Sequence, residues 1–308
     1  MHFVFIINPA AGKEDSKKEI LDQLENLKDI DYSVYYTKSA NDATSYVDKL
    51  ASKDPNKDYC FVACGGDGTI NEVINGLVGH DNCCFSVYPC GSGNDYVKYF
   101  GGADKFKSLD ELVNGRIVKV DSMVVSDKYS VNVINFGFDC HVVKIMEKVK
   151  RKFLIGGKNA YTTGVIGALF TGRRNYCKIY ADGKLLNPTG EFMLCTIANG
   201  TYVGGSYKCA PRSFIDDGYM EVCMAHHMSI LKLTSMIGAY QKGEHLDQER
   251  FKDYLVYTRA KQVELISEKD MDLCIDGEVV QGKHFVIDNK KQLLSFLAPK
   301  NFEDKKLI

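Results

Sequence analysis

A glycine-rich turn between an apolar run and an amphipathic run is the feature that most constrains this chain. Residues 60–63 have the composition of a buried strand, residues 69–78 have the spacing of a helix, and Gly65-Gly66-Asp67-Gly68 connects them. Glycines let the backbone approach a ligand and present successive N–H groups, and the following helix adds its positive N-terminal end. The segment therefore suits a phosphate group, although a tight turn capped by Thr69 or Asp67 fits the same residues.

Two further glycine-bearing junctions have the same arrangement. Residues 91–95 (Gly-Ser-Gly-Asn-Asp) follow the apolar run 85–88, and residues 8–12 follow the apolar run 3–7. In an open α/β sheet, adjacent strand ends open into one crevice where ligands bind. The three junctions together predict a nucleotide or phosphate pocket. Bare phosphate would repel Asp67, which instead suits a phosphate-bound Mg²⁺ or an attacking hydroxyl.

The chain changes its pattern near residue 116. Before this point, apolar runs at 3–7, 34–36, 60–63 and 85–88 alternate with amphipathic stretches at 14–28, 42–50 and 69–78, which predicts a doubly wound parallel sheet. After it, strand-like runs follow one another with turns between them, which is typical of an antiparallel β-domain. Helical patterns near 139–172 and 229–242 interrupt this part. We predict an α/β domain at 1–118, rejoined by the tail 291–308, and a β-sandwich domain at 119–290.

Composition excludes several classes of protein. Lys and Arg number 39 against 40 Asp and Glu, so the net charge of -1 gives no general attraction for nucleic acid. No apolar run approaches the roughly 20 residues of a membrane span. The N-terminus begins directly with a strand pattern, so we expect no signal peptide. The 11 cysteines include no C-x-x-C pair and several lie in apolar runs, which predicts small buried side chains in a reducing cytoplasm.

Two other glycine patterns are near matches only. Residues 277–284 miss the P-loop by one position, with His284 in place of the hydroxyl that would hold Mg²⁺. Residues 66–71 lack the third glycine of the dinucleotide fingerprint. A Walker-type ATPase and an NAD-dependent dehydrogenase are therefore not supported.

The two glycine turns, taken with their neighbours, resemble a known family. Residues 65–72 and 91–95 resemble the catalytic domain of the diacylglycerol kinase superfamily, and in particular the soluble bacterial lipid kinases related to sphingosine and ceramide kinases. The resemblance extends over the whole chain through short motifs at 8–9, 135–139, 157–161, 210–211, 216–219 and 276–278. It implies an N-terminal domain similar to those of NAD kinase and phosphofructokinase. Ser92 stands where the family usually has threonine, and the hydroxyl is retained.

The resemblance implies an ATP site in the N-terminal domain. The positions that match nucleotide-contacting residues are Asn8, Pro9, Gly12, Thr37, Gly65, Gly66, Asp67, Gly68, Thr69, Asn71, Glu72, Gly91, Ser92 and Asn94. Asp67 and Asp95 match the acidic pair that organises catalytic Mg²⁺, and Glu278 matches the general base that accepts the proton of the lipid hydroxyl. Asp276-Gly277 is also a strong hairpin signal, and a turn can carry such a base.

A second metal is implied at residues 214–219. There the Asp217 side chain and the backbone carbonyls of Phe214 and Tyr219 match a structural Mg²⁺ loop, while a solvated Asp-Asp-Gly turn is the alternative. By the same analogy, Lys13, Asp121 and Lys158 match an interdomain charge network. His226-His227 has no partner at metal-ligand spacing and is expected to be structural.

Residues 144–178 combine nine Lys and Arg side chains with apolar ones and a single acid, Glu147. Such a segment suits docking on an anionic membrane leaflet, and a solvated basic helix face is the alternative. We therefore expect a cytoplasmic protein associated peripherally with the membrane, with no nucleic-acid partner. The sequence leaves open whether the protein forms a homodimer.

The resulting hypothesis is an ATP- and Mg²⁺-dependent lipid kinase, with diacylglycerol as the first candidate acceptor and phosphatidic acid as product. The alternatives are a kinase of another lipid (phosphatidylglycerol or a sphingoid base), an NAD kinase, and a non-catalytic lipid-binding protein. The residues 91–95 argue against NAD kinase, and the retention of Asp67, Asp95 and Glu278 argues against a non-catalytic protein.

Overall fold

The computed structural model describes residues 1–12, 14–137, 140 and 174–302, with backbone alone at Glu14 and Asp15. The chain forms two compact units. The first comprises Met1–Ser122, Tyr129–Val131 and Lys290–Ile308, and the second comprises Met123–Lys128 and Asn132–Asn289. The helix expected near 139–172, Lys13, Lys158 and most of the basic segment 144–178 lie outside the described residues.

The first unit begins with alternating strands and helices, each within a few residues of its predicted bounds. They are β1 (His2–Ile7), α1 (Glu14–Asn26), β2 (Tyr32–Tyr36), α2 (Asp42–Lys53), β3 (Tyr59–Gly65), α3 (Asp67–Leu77) and β4 (Cys83–Pro89). The strands are parallel in the order β2-β1-β3-β4. This confirms the predicted α/β class.

Strand alternation distributes the apolar side chains of this sheet between its two faces. Phe3, Phe5 and Ile7 of β1 pack on one face with Ile20 and Leu24 of α1. A parallel sheet is covered on both sides, which explains why β3 and β4 are buried at every position. The strand ends that carry the glycine loops therefore project from a rigid, fully packed base.

The segment after β4 differs from the prediction. Instead of a regular helix after Asn94 and Asp95, the chain forms short 3-10 turns at Tyr96–Phe100 and Ala103–Phe106, then α4 (Leu109–Val113). Positive φ angles at Gly101 and Gly102 end the first turn. Aromatic packing holds it in place, since Phe100 lies 4.5 Å from Phe296 between ring centroids.

The second unit is an antiparallel β-structure, as the sequence predicted. Its elements, including strands shared with the first unit, are β5 (Arg116–Val125), β6 (Lys128–Ser130), β7 (Val133–Gly137), β8 (Asn175–Tyr176), β9 (Lys178–Ala181), β10 (Lys184–Leu185), β11 (Glu191–Phe192), β12 (Leu194–Ala198), β13 (Met220–Ala225), α5 (Ile230–Lys242), a 3-10 turn (Glu249–Tyr254), β14 (Leu255–Ala260), β15 (Gln262–Ile275) and β16 (Glu278–Ala298). The main strand order is β14-β13-β12-β7-β15-β16. Its core is formed by alternating side chains such as Ile134, Phe136 and Val222.

The last two strands are longer than the strand-like runs of the sequence indicate. The sequence predicts separate strands at 261–267 and 271–276, but these residues form one strand, β15, with a register shift between Ile266 and Met271. The run at 283–287 is part of β16, which extends for 21 residues. Charged side chains occur at the register shift and along the outer face of these strands. The apolar runs are therefore shorter than the strands themselves.

The prediction that several cysteines are small buried side chains is also confirmed. All 11 cysteines are free, and each is buried except Cys90, which is partly exposed. Within the described ranges, no helix is long and apolar enough to cross a membrane.

We predict that His245 makes stability fall as the pH is lowered. His245 is 1% exposed and packs against Tyr240 with ring centroids 4.8 Å apart. Burial lowers the pKa of His245 to about 4, although Asp247 favours the charged form. Unfolding restores an ordinary histidine near pKa 6.5, so the unfolded chain binds the additional proton. Stability from this residue is complete above pH 6.5 and decreases toward pH 4.

Between pH 7 and pH 5 the decrease should be about 2 kcal/mol, measured by urea unfolding. The pH dependence of His245→Leu should be smaller than that of the wild-type protein by this amount. His227→Asn controls for the loss of a histidine elsewhere. Equal pH dependence in wild type and His245→Leu would contradict the prediction.

Candidate active site

The two main glycine turns of the first unit touch through their backbones. A Cβ on Gly91 would lie 2.6 Å from the Cα of Gly66, so position 91 cannot carry a side chain without moving the loops apart. The Gly65 carbonyl accepts the N–H groups of Cys90 at 2.8 Å and Gly91 at 3.2 Å. The sequence prediction that these turns meet at one edge of the sheet agrees with this contact.

The third junction joins the same group. The Asn8 amide donates to the Thr69 hydroxyl at 3.1 Å, and the Asn8 side-chain oxygen accepts the N–H of Ala10 at 3.0 Å. Gly12 lies against Cys90, with 2.6 Å between the place of a Cβ and the Cys90 carbonyl oxygen. Residues 8–12, 65–69 and 90–95 thus form one cluster of loops, which we call the loop cluster.

The carboxylate of Asp67 links two of these loops. Its Oδ1 accepts the backbone N–H of Asp95 at 2.7 Å and that of Tyr96 at 3.2 Å. Asp95 is 7% exposed, and its Oδ1 accepts a hydrogen bond from the Lys98 ammonium at 2.6 Å. The acidic pair expected from the sequence is therefore held by named partners in a fixed arrangement.

The second oxygens of both carboxylates lie around Gly93. A Cβ on Gly93 would be 2.9 Å from Oδ2 of Asp67 and 3.5 Å from Oδ2 of Asp95. Magnesium is usually bound by one or two carboxylates together with substrate phosphates. The two oxygens and the space beside Gly93 fit that donor set, with Asp67 and Asp95 as the protein ligands.

The side-chain oxygen of Asn94 is a buried acceptor in the loop cluster. Its amide donates to the Gly91 carbonyl at 2.8 Å, while its Oδ1 is buried without a hydrogen bond. Buried acceptors of this kind are costly unless a ligand or water satisfies them. A donor group on a bound molecule would do so.

Other predicted contact residues are placed differently. Asn71 donates to the Tyr129 carbonyl at 3.0 Å, and Glu72 accepts the N–H of Ala43 at 3.1 Å at the start of α2. These two side chains hold other parts of the first unit. Thr37 follows β2, where its N–H bonds to the Ile7 carbonyl at 2.9 Å. The exposed members of the predicted set are Pro9, Gly12, Gly68 and Ser92.

Glu278 belongs to the second unit. It follows the turn Asp276-Gly277, where Asp276 accepts the Val133 N–H at 2.8 Å and fixes the turn to β7. The Glu278 carboxylate pairs with Lys128 at 3.0 Å, and both side chains are a little under half exposed. The expected hairpin is present, and the carboxylate stands at its tip with solvent access.

The residues 214–219 do not fit a metal in this arrangement. Oδ1 of Asp217 accepts the N–H of Tyr219 at 2.9 Å, and Oδ2 is bound by the guanidinium of Arg259. Arg259 also binds Glu221 at 3.1 Å. Burial raises the pKa of Glu221 to about 7, and Arg259 acts in the opposite direction. In the part of the chain that is described, no cluster of three His, Cys, Asp or Glu side chains has metal-binding geometry.

Sequence reasoning missed two residues of the first unit. Lys98 places a cation on Asp95, and its i,i+3 spacing from Asp95 is a signal that was available. Asn75 accepts the Tyr129 N–H at 2.9 Å and donates to the Tyr129 carbonyl at 2.9 Å. No local pattern indicates that contact, because the two residues are far apart in the chain.

Two family profiles match most of the chain. The profile described as "Diacylglycerol kinase catalytic domain" matches residues 2–125. The profile described as "YegS C-terminal NAD kinase beta sandwich-like domain" matches residues 132–288.

Relatives and solved structures agree with these matches. A diacylglycerol kinase of Bacillus subtilis (strain 168) is 30% identical over 280 residues, covering 89% of this chain and 88% of the relative. One of Staphylococcus carnosus (strain TM300) is 27% identical over 308 residues, covering 98% and 97%. A crystal structure of a diacylglycerol kinase from Bacillus anthracis str. Sterne has the same fold, with a TM-score of 0.73 at 20% identity over 98% of both chains.

The profile over residues 2–125 and the relative at 30% identity show that the chain is a lipid kinase, an enzyme that transfers a phosphoryl group. It belongs to the diacylglycerol kinase family. The resemblance inferred from the sequence is confirmed.

We predict that Gly91→Ala lowers stability by about 1–3 kcal/mol, because the new methyl group would overlap the Gly66 backbone and force the loops apart. Gly68→Ala is the matched control, since a Cβ there meets nothing within 4 Å. Urea unfolding of both variants measures the difference. Equal stability of Gly91→Ala and Gly68→Ala would show that the two loops do not pack closely.

Proposed function

We propose that this protein is an ATP- and Mg²⁺-dependent diacylglycerol kinase that transfers the terminal phosphoryl group of ATP to the free hydroxyl of the lipid. The observation that carries the proposal is the pair of carboxylates, Asp67 and Asp95, whose Oδ2 atoms lie around Gly93 within the loop cluster. The names of the relatives support diacylglycerol as acceptor.

In this proposal the loop cluster binds the nucleotide. Backbone N–H groups of the glycine turns and the hydroxyls of Thr69 and Ser92 face the phosphates, and Asn94 Oδ1 accepts a hydrogen bond from the bound molecule. Asp67 and Asp95 hold Mg²⁺, which when bound neutralises charge that develops on the phosphates. Lys98 keeps the Asp95 carboxylate in position through its 2.6 Å contact.

Glu278 is the proposed general base. It accepts the proton of the lipid hydroxyl as the oxygen attacks phosphorus, and the leaving group is ADP. The balance of the reaction is ATP plus diacylglycerol to ADP, phosphatidic acid and a proton. Lys128 orients the Glu278 carboxylate before the substrate arrives.

Membrane association through residues 144–178 is part of the proposal, because the acceptor is a membrane lipid. The cationic side chains of that segment suit an anionic leaflet. The charge balance of the whole chain gives no reason to expect a nucleic-acid partner.

We predict that Glu278→Gln lowers kcat by roughly 10²- to 10⁴-fold without unfolding the protein, because glutamine retains the shape and cannot accept the proton. Glu268→Gln is the control, since Glu268 is exposed on β15 of the same hairpin. Phosphate transfer from labelled ATP is measured in mixed micelles. A turnover of Glu278→Gln equal to that of the control would exclude Glu278 as the base.

We predict that Asp95→Asn and Gly93→Ala raise the Mg²⁺ concentration needed for half-maximal activity by roughly 10- to 100-fold. The first removes a ligand charge and the second fills the space beside it. Titration of activity with Mg²⁺ at saturating ATP measures the effect. An unchanged Mg²⁺ requirement in both variants would mean that the metal is bound elsewhere.

The acceptor is tested with a panel of lipids in mixed micelles, with NAD included. We expect product with diacylglycerol. Product with phosphatidylglycerol or a sphingoid base alone would retain the mechanism and change the substrate, and product with NAD alone would contradict the lipid assignment. No transfer to any acceptor would favour the non-catalytic lipid-binding alternative.

A further inference from the structure

A charged network in the second unit lies on strands β13 and β14 and the loop before them. Glu221 and Arg259 are directly opposite each other in the antiparallel pair of these strands. Tyr257 is two residues from Arg259 and so points to the same face. Asp217, in the loop before β13, brings a second carboxyl group to Arg259.

The contacts within the network account for every carboxyl oxygen of the two acids. Arg259 binds Asp217 through Nη2 and Glu221 through Nε, the latter at 3.1 Å. The remaining oxygen of Asp217 accepts the Tyr219 N–H at 2.9 Å, and that of Glu221 accepts the Tyr257 hydroxyl. The guanidinium also lies over the ring of Tyr219, 4.7 Å from its centroid.

Burial explains why a cation is needed here. The side chains of Asp217 and Glu221 are 9% and 3% exposed, and two carboxyl groups at this depth repel each other unless a positive charge lies between them. A divalent cation can supply that charge. So can a guanidinium, whose planar fork donates to two acceptors at once.

The two solutions compete at Asp217. A metal at this loop would have to share the Asp217 carboxylate with Arg259, and its charge would repel the guanidinium beside it. Lys261 brings a further cation to the same place, with its ammonium 5.3 Å from the centroid of the Tyr219 ring. Two features therefore disfavour a metal: the guanidinium bound to Asp217 and the neighbouring ammonium of Lys261.

We propose that Arg259 takes the place of a structural metal ion in the loop Phe214–Tyr219 of this chain. The loop is then held by the bridge from Asp217 through Arg259 to Glu221, and the fold of the second unit does not depend on divalent cations. This goes beyond the proposed function and is independent of it, because it concerns stability and not phosphate transfer.

The first test is thermal unfolding of nucleotide-free protein in EDTA and in millimolar MgCl₂. Arg259→Gln should lower Tm by roughly 10 °C in EDTA, because it leaves two buried carboxyl groups without their cation. Added Mg²⁺ should recover part of this loss, since the carboxylates are then open to a metal. The double variant Asp217→Asn/Arg259→Gln should show no recovery.

Lys261→Gln is the matched control, because it removes a cation from the same ring without removing a contact to either acid. Its Tm should remain near that of the wild-type protein in both buffers. If Arg259→Gln does not fold, Arg259→Lys keeps the charge without the fork and should show a smaller loss of Tm. A Tm of Arg259→Gln equal to that of Lys261→Gln would overturn the proposal.

The second test counts bound metal directly. The nucleotide-free Asp67→Asn variant, which lacks a ligand of the proposed catalytic site, is dialysed against Mn²⁺. While Arg259 is present, we expect Asp217→Asn to leave the amount of bound Mn²⁺ unchanged. After Arg259→Gln, we expect one additional Mn²⁺ per chain, which is lost when Asp217→Asn is added. One equivalent bound in the presence of Arg259 and lost on Asp217→Asn would overturn the proposal. Neither test measures catalysis, so a failed kinase assay would contradict the proposed function without affecting the proposal for Arg259.

Discussion

The contact between two glycine turns is the constraint on which the first unit depends. Gly66 and Gly91 approach so closely that Gly91 has no room for a methyl group. This approach places the carboxylate of Asp67 under the backbone of the next loop, where it accepts two N–H groups. The buried parallel strands provide the rigid base, and the loops supply the chemistry. The geometry of the acidic pair thus depends on the absence of a side chain at Gly91.

The sequence was informative where a local rule governs the structure. Strand alternation and the glycine junctions predicted β1 to β4 with their helices, because burial on both faces leaves long apolar runs. It was uninformative where partners are distant in the chain. Asn71 and Glu72 matched nucleotide-contacting positions, yet their side chains bond to Tyr129 and Ala43. A motif identifies a residue type and does not show which of several nearby groups it binds.

The loop at Asp217 is a second case in which the sequence motif did not show which group the side chain binds. The resemblance to the kinase family implied a metal ligand at Asp217, while the pattern Asp-Asp-Gly alone also fits a solvated turn. The guanidinium that binds Asp217 lies 42 residues further along the chain, at Arg259. Only the register of β13 against β14 brings it opposite Glu221, and register is set by the whole sheet.

The first unit is built from segments that are far apart in the chain. In the segment that begins at Lys290, the Leu297 carbonyl accepts a hydrogen bond from Ser86 at 2.8 Å, and Phe296 packs against Phe85 and Phe100. A ribosome therefore releases the first 122 residues long before the strand that covers these aromatic rings. Until residues 290–298 have been synthesised, the nascent chain carries an open apolar edge that can aggregate or recruit chaperones. A stop codon that removes residues 290–298 would therefore damage the first unit, although most of that unit lies far away in the sequence.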